Sequence, residues 1–146
     1  MNDLYQEIND ALYHVYYGIQ RIEEEELKKS RFNDLTPKEL HALDAITMYE
    51  HPTTSQVAEK LHLSRATMTV TVDRLVRKGY VERIRGQQDR RVVHLKLTMR
   101  GRVVCRAYHA YHNRMVKSFL QNLDEKELQT IYHAFKNLDD FLNAHY

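Results

Sequence analysis

Six side chains between positions 65 and 74 have the chemistry to read the edges of base pairs. If the segment opened by Ser64 is helical, Met68, Val72 and Leu75 share one face, while Arg65, Thr67, Thr69, Val70, Thr71 and Arg74 share the other. Arginine donates in a fork that matches the two acceptors of guanine, and the methyls of threonine and valine can meet the thymine methyl. β-Branched residues are poor formers of a helix face that meets only water. Four of them between positions 67 and 71 predict that something else meets this face. Ser64 can cap the helix and lies on the same surface.

A second group follows. Arg83, Arg85, Arg90 and Arg91 cluster around the polar run at 86–91, Gly-Gln-Gln-Asp-Arg-Arg. An arginine-rich loop can enter a minor groove, where narrow A·T tracts concentrate negative potential. As a plain charged turn it would serve solubility alone. Asp89 reads as structural, holding one neighbouring arginine through a charge-assisted bond.

Other candidate chemistry is weaker. His109 and His112 have a spacing that can bind zinc, but no third or fourth ligand is evident, so no metal is expected. Cys105 is the one cysteine and stands inside a predicted helix, where a packed thiol is the simpler reading. G-x-S-x-G, C-x-x-C, H-E-x-x-H and the dinucleotide fingerprint are missing from the sequence, so no catalytic site and no enzyme are expected. Tyr5, Tyr13, Tyr16, Tyr17, Tyr108, Tyr111 and Tyr132 suit either interface packing or the walls of an effector pocket.

The elements that would position these groups follow from periodicity and caps. Over 3–29, Leu4, Ile8, Leu12, Val15, Ile19 and Ile22 form the stripe of a long helix, with the acidic run 23–26 as a solvated face. Thr36, Pro37 and Glu39 open a second helix through a capping box. It carries Leu40, Leu43, Ala45 and Ile46 and ends ahead of Pro52. A short helix over 54–61 turns Val57, Ala58 and Leu61 inward, and His62 and Leu63 make a tight turn. The Ser64 helix runs to Lys78, with Gly79 placed to end it. The period then changes. Tyr80, Val81 and Ile84, then Val92, Val93, Leu95 and Leu97, predict two strands joined by the 86–91 turn. Thr98 and Gly101 lead into a helix ending near 121, lined by Val104, Tyr108, Tyr111, Met115 and Phe119. Asp124 caps a last helix whose Leu128, Ile131, Phe135, Leu138 and Leu142 form a seam that needs another helix. Residues 54–79 thus spell a helix-turn-helix, whose second helix fits a major groove ~12 Å wide.

The chain has 146 residues, 42% hydrophobic and 29% charged, enough to pack a core. No apolar run approaches the ~20 residues that span a bilayer. The first residues lack the regions of a signal peptide, and a single cysteine forms no internal disulfide. Together these predict a cytoplasmic protein with no membrane partner. Net charge is only +2, yet residues 64–102 hold 11 Lys/Arg against 3 Asp/Glu. That local excess is the footprint of a polyanion.

Leu63-Ser64-Arg65-Ala66-Thr67-Met68-Thr69 and Asp73-Arg74-Leu75-Val76-Arg77-Lys78-Gly79-Tyr80-Val81-Glu82-Arg83, with Asp89-Arg90-Arg91, Leu97-Thr98 and Gly101, resemble the MarR family of bacterial regulators over essentially the whole chain. The resemblance implies a triangular homodimer made by the first and last helices. It also implies a short palindromic operator in double-stranded DNA, with one recognition helix per half-site. Ser30-Arg31-Phe32, Lys38-Glu39 with His41 and Asp44, and Glu82-Arg83 with the run from Gln88 to Leu95 are similar to the branch that represses fatty-acid synthesis genes. That likeness implies no cofactor, but an acyl chain delivered as long-chain acyl–acyl carrier protein as corepressor. The chain would sit in apolar space between the helical interface and the DNA-binding lobe.

The expectation is a mainly α protein with a small β-hairpin wing (α+β). A winged helix-turn-helix occupies 36–97, and residues 1–35 and 98–146 form a helical dimerisation region. The expected function is transcriptional repression through DNA. A regulator answering to another small ligand or a metal, or a winged-helix protein-interaction module, are the alternatives.

Overall fold

Asn2 accepts a hydrogen bond from Tyr5 N at 2.9 Å and starts helix α1, Asp3–Lys29. The helix ends at Ser30, whose hydroxyl donates to the Leu27 carbonyl at 2.9 Å. Its last turns are covered, with Glu23 and Leu27 buried. Its first turns are bare: Leu4, Ile8, Leu12 and Val15 are each more than half exposed.

Helix α2, Pro37–Ile46, carries the expected capping box. Glu39 N donates to Thr36 Oγ1 and Thr36 N donates to the Glu39 carboxylate, both at 3.1 Å. It stops at Ile46, well short of Pro52, because Thr47 turns to a φ of 66°. Left-handed backbone strains a β-branched residue. The stop is imposed by packing: Leu40, Leu43 and Ile46 are buried on α2, and the chain must reverse there to lay α3 on the same core.

Helices α3, Thr54–Lys60, and α4, Arg65–Arg77, come next. Gly79, at a φ of 84°, ends the second of them as expected. Strands β1, Val81–Arg85, and β2, Val93–Leu97, pair antiparallel, with Val81 opposite Leu97 and Arg85 opposite Val93. Val92 belongs to the turn rather than the strand, its N–H donating to the Asp89 carbonyl at 3.2 Å. Leu95 N donates to the Pro52 carbonyl at 2.7 Å and Thr53 bridges His94. The loop ahead of α3 thus lies along the outer edge of β2 and occupies donors that an edge strand would leave open. Leu43, Ile46, Val57, Met68, Val72, Leu75, Tyr80, Leu95 and Leu97 are essentially inaccessible and make one core from α2, α3, α4 and the hairpin. Leu61, expected inward, is half-buried at the end of α3. Helix α5, Met99–Phe119, begins on this core through Gly101, Val104 and Cys105.

The computed structural model describes residues 2–145. Its backbone clusters as two compact units, residues 1–106 and 107–146. The second unit holds the rest of α5 and helix α6, Glu125–His145. Asp124 and Glu127 cap α6 reciprocally, at 2.8 and 3.1 Å. Phe119 and Phe135 pack edge to face, ring centroids 6.2 Å apart. Helix α6 buries none of its residues within the chain; Leu128, Phe135, Leu138 and Leu142 stand open along it. Continuous apolar stripes of this length on a monomer mark an interaction surface.

Candidate nucleic-acid interface

The interface is built around α4, and local hydrogen bonds aim it. Thr53 and Gln56 cap α3 reciprocally, at 2.8 and 3.2 Å. The T-x-x-Q spacing carried that signal, although the periodicity of the segment alone suggests only the helix. His62 takes a φ of 56°, and Leu63 N donates to the Ala58 carbonyl at 2.9 Å. Ser64 then accepts from Thr67 N at 3.1 Å and donates to Thr67 Oγ1 at 2.8 Å. A tight turn with a capped second helix is the helix-turn-helix geometry.

Helix α4 is two-sided, as its residue types suggest. Met68, Val72 and Leu75 are at 0% exposure. Ser64, Arg65, Thr67, Thr69, Val70 and Arg74 are exposed, and Thr71 is half-buried at the edge. Thr69 and Thr71 donate their hydroxyls to the Arg65 and Thr67 carbonyls at 2.9 and 3.1 Å. Their protons are therefore spent on the helix. What they offer outward is an acceptor lone pair and a methyl, suited to a cytosine amino group or a thymine methyl.

Among the described residues, the hairpin arginines divide into three that are held by partners and Arg90, whose side chain has none. Arg83 pairs with Asp73 of α4, which ties the wing to the helix. Arg85 Nη1 donates to the Arg90 carbonyl at 3.0 Å and holds the loop closed. Asp89 takes three bonds from Arg91, from its backbone N at 3.0 Å and its guanidinium at 3.2 and 3.3 Å. These bonds hold the Asp89 carboxyl below the usual carboxylate range. Gly86 N donates to the Val92 carbonyl at 2.8 Å. A Cβ at Gly86 would stand 2.7 Å from the Asp89 carbonyl oxygen, so the turn requires glycine. Arg90 is exposed at the tip, and among the described residues no hydrogen bond or ion pair engages its guanidinium. The partner of Arg83 lies on another segment, α4, and that of Arg85 is a backbone carbonyl of the loop, so residue types alone announce neither.

Behind α4 lies a polar cluster that motif reading misses. Lys78 Nζ donates to both Glu39 carboxylate oxygens at 2.9 Å. Tyr80 donates its hydroxyl to Asp34 at 2.6 Å, and Arg100 reaches the same carboxylate at 3.4 Å. Burial pushes both carboxyls upward. At Asp34 the Tyr80 hydroxyl and then Arg100 outweigh it, and at Glu39 Lys78 and Thr36 do so; both end below the usual range. A carboxyl depressed by folding stabilises the fold above its unfolded value, about 4. That contribution fades as pH falls through the folded value. Melting temperature is therefore expected to decline progressively below about pH 4, and Asp34→Asn with Glu39→Gln should flatten that acid limb. An acid limb identical in the double variant would show that other groups cause it.

No group of three or more His, Cys, Asp or Glu gathers as a metal site among the described residues. His112 lies edge-on to Tyr108 and Tyr111, ring centroids 4.5 and 5.6 Å away. Cys105 is buried, and burial, with Asp44 nearby, pushes its thiol up to about 12. A thiol so far from ionisation is a packing group. No described helix is long and apolar enough to cross a membrane.

Comparison with known proteins places this geometry. A family model described as MarR family matches residues 35–93. FabT from Streptococcus pneumoniae, solved in complex with DNA, is 39% identical, covers 97% of this chain and 99% of its own, and superposes with a TM-score of 0.89. The S. aureus MepR–DNA complex shares the fold at 18% identity, with a TM-score of 0.73 over 90% of this chain and 94% of that one. The transcriptional repressor MdtR of Bacillus subtilis is 27% identical over 119 residues, 82% of this chain and 77% of that protein.

Proposed function

The chain belongs to the MarR family of DNA-binding transcriptional regulators, and from that premise we propose that it is a homodimeric repressor acting on a palindromic operator in double-stranded DNA. The observation that carries this reading is the two-sided α4. One face is sealed in the core, and the other presents arginines, hydroxyls and methyls on a rigidly capped helix. Each subunit inserts α4 into a major groove and lays its hairpin on the flanking duplex. Arg65, Thr67, Thr69, Val70, Thr71 and Arg74 meet bases or phosphates, and Arg90 enters the minor groove. Arg91 lies beside it, held by Asp89. Arg83 and Arg85 act chiefly by fixing the wing. The bare stripes of α1 and α6 supply the dimer contact, with 1–35 and 98–146 as the assembly region and 36–97 as the DNA-binding domain.

The runs at 30–32, 38–44 and 82–95, together with the 39% identity to FabT, support a finer reading. The controlled genes are those of fatty-acid synthesis, and long-chain acyl–acyl carrier protein is the corepressor. Adding it is expected to tighten operator binding in a gel shift. Unchanged or weakened binding would remove the effector from the account and leave the DNA reading standing.

The DNA reading is tested by selecting bound sequences from a random pool and then removing the tip cation. Arg90→Ala is expected to weaken binding to the selected sequence about tenfold or more while the protein remains a dimer. If Arg90 also neutralises a phosphate, the slope of log K against log salt flattens by ~0.9. Full affinity in the variant would take Arg90 out of the interface.

A further inference from the structure

We propose that Arg100 is a positioning residue for α4, setting the angle of that helix in the groove without touching DNA. The inference rests on the reading of α4 as the recognition helix. Three consecutive carbonyls at the exit of α4 are capped by the residues that open α5. Arg100 Nη1 donates to the Lys78 carbonyl at 2.7 Å, Thr98 Oγ1 to the Gly79 carbonyl at 2.7 Å, and Thr98 N to the Tyr80 carbonyl at 3.0 Å. Gly101 closes the joint, because a Cβ there would collide with the Tyr80 carbonyl oxygen. Only glycine lets the two backbones approach so closely. The exit of α4 and the first turn of α5 therefore move as one piece.

Polar contacts orient that piece against the corner between α1 and α2, where Asp34 sits. Arg100 Nη2 reaches both Asp34 carboxylate oxygens at 3.4 Å, and the Tyr80 hydroxyl donates to the same carboxylate at 2.6 Å. The Arg100 guanidinium stacks on the Tyr80 ring, 4.2 Å from its centroid. Lys78 adds a parallel tie to the Asp34 carbonyl and the Glu39 carboxylate. As an isolated ion pair, side chains 44% and 37% exposed would contribute little to stability. Converging on one carboxylate while also capping α4, they define a direction. Hydrophobic burial is non-directional, so these directed bonds add an orientational restraint to the packing of the core. Met68, Val72 and Leu75 seat α4 on the core, and the polar joint adds a directional restraint at its exit. A tilt that loses one bidentate base contact per half-site changes affinity by about tenfold or more.

The test compares wild type with Arg100→Gln, Arg100→Lys, Asp34→Asn and the Arg100→Gln/Asp34→Asn double variant. Gel shifts use the selected operator and random DNA across a salt series. Arg100→Gln and Asp34→Asn are each expected to bind the operator about tenfold more weakly. The double variant should be no worse than either, because both act through one joint. Affinity for random DNA and the salt slope should not change. Arg100→Lys, which keeps the charge but loses the fork, should remain weakened. A slope flatter by ~0.9 would mean that Arg100 meets phosphate directly, and would overturn the proposal. Full operator affinity in the variants, or equal losses on both DNAs, would do the same. Should Arg100→Gln melt early, the near-isosteric Asp34→Asn carries the comparison alone. A wild-type chain that selects no sequence removes the reading of α4 itself, and this proposal with it.

Discussion

Leu12→Glu on α1, or Leu138→Glu on α6, is expected to turn the dimer into monomers and to abolish tight operator binding. Leu12 is 51% exposed on the bare first turns of α1, and Leu138 is 39% exposed on α6, none of whose described residues is buried. The proposed dimer buries them. An unpaired carboxylate placed there must be desolvated or protonated, and either cost opposes association. The consequence for DNA is larger than the change itself. Two linked recognition helices bind a palindrome with an avidity that exceeds one half-site by roughly 10²–10⁴. Sedimentation should show monomers, and gel shifts should show a loss of that order. A variant that stays dimeric would mean that α1 or α6 packs elsewhere. A monomer with full operator affinity would contradict the two-fold reading altogether.

Leu75→Ala should produce a large loss of stability from one truncation. Leu75 is fully buried under α4 with Met68 and Val72, in a core that joins α2, α3 and the hairpin. Removing its side chain loses transfer energy and leaves a cavity, together about 2–5 kcal/mol. For a chain of this size that lowers the melting temperature on the order of 10 °C. Melts must be compared at one protein concentration, because association contributes to apparent stability. Thr69→Ala, on the opposite face of the same helix, is expected to move stability by less than about 0.5 kcal/mol. The pair separates the bracing face from the reading face. Equal destabilisation by both would mean that α4 has no free face.

The elements were legible wherever the deciding interaction was local. Thr36 and Glu39, Ser64 and Thr67, and Asp124 and Glu127 are each three residues apart, and all form their expected caps. Gly79 ends α4 because only a residue at ease in left-handed backbone can. The two-sided α4 and the hairpin also follow from spacing, since helix and strand periods sort residues without reference to the rest of the chain.

Pairing at a distance was not legible. Glu39 reads as a capping residue, and it is one, but it also holds Lys78, 39 positions away. Arg83 and Arg90 look alike in a row of wing arginines, yet one is spent on Asp73 and the other is exposed with no side-chain partner among the described residues. Thr47 gives no sign that α2 must stop there. The amino-acid sequence determined which segments are helices and strands, and which face of each is apolar. Those properties depend on groups within a turn or two of each other. The tertiary structure alone decided which charges find partners among the described residues, and how the α4–α5 joint is tied to the α1–α2 corner through Arg100 and Asp34, 66 positions apart. Such bonds exist only after packing has brought remote segments within about 3 Å, the range over which a hydrogen bond acts.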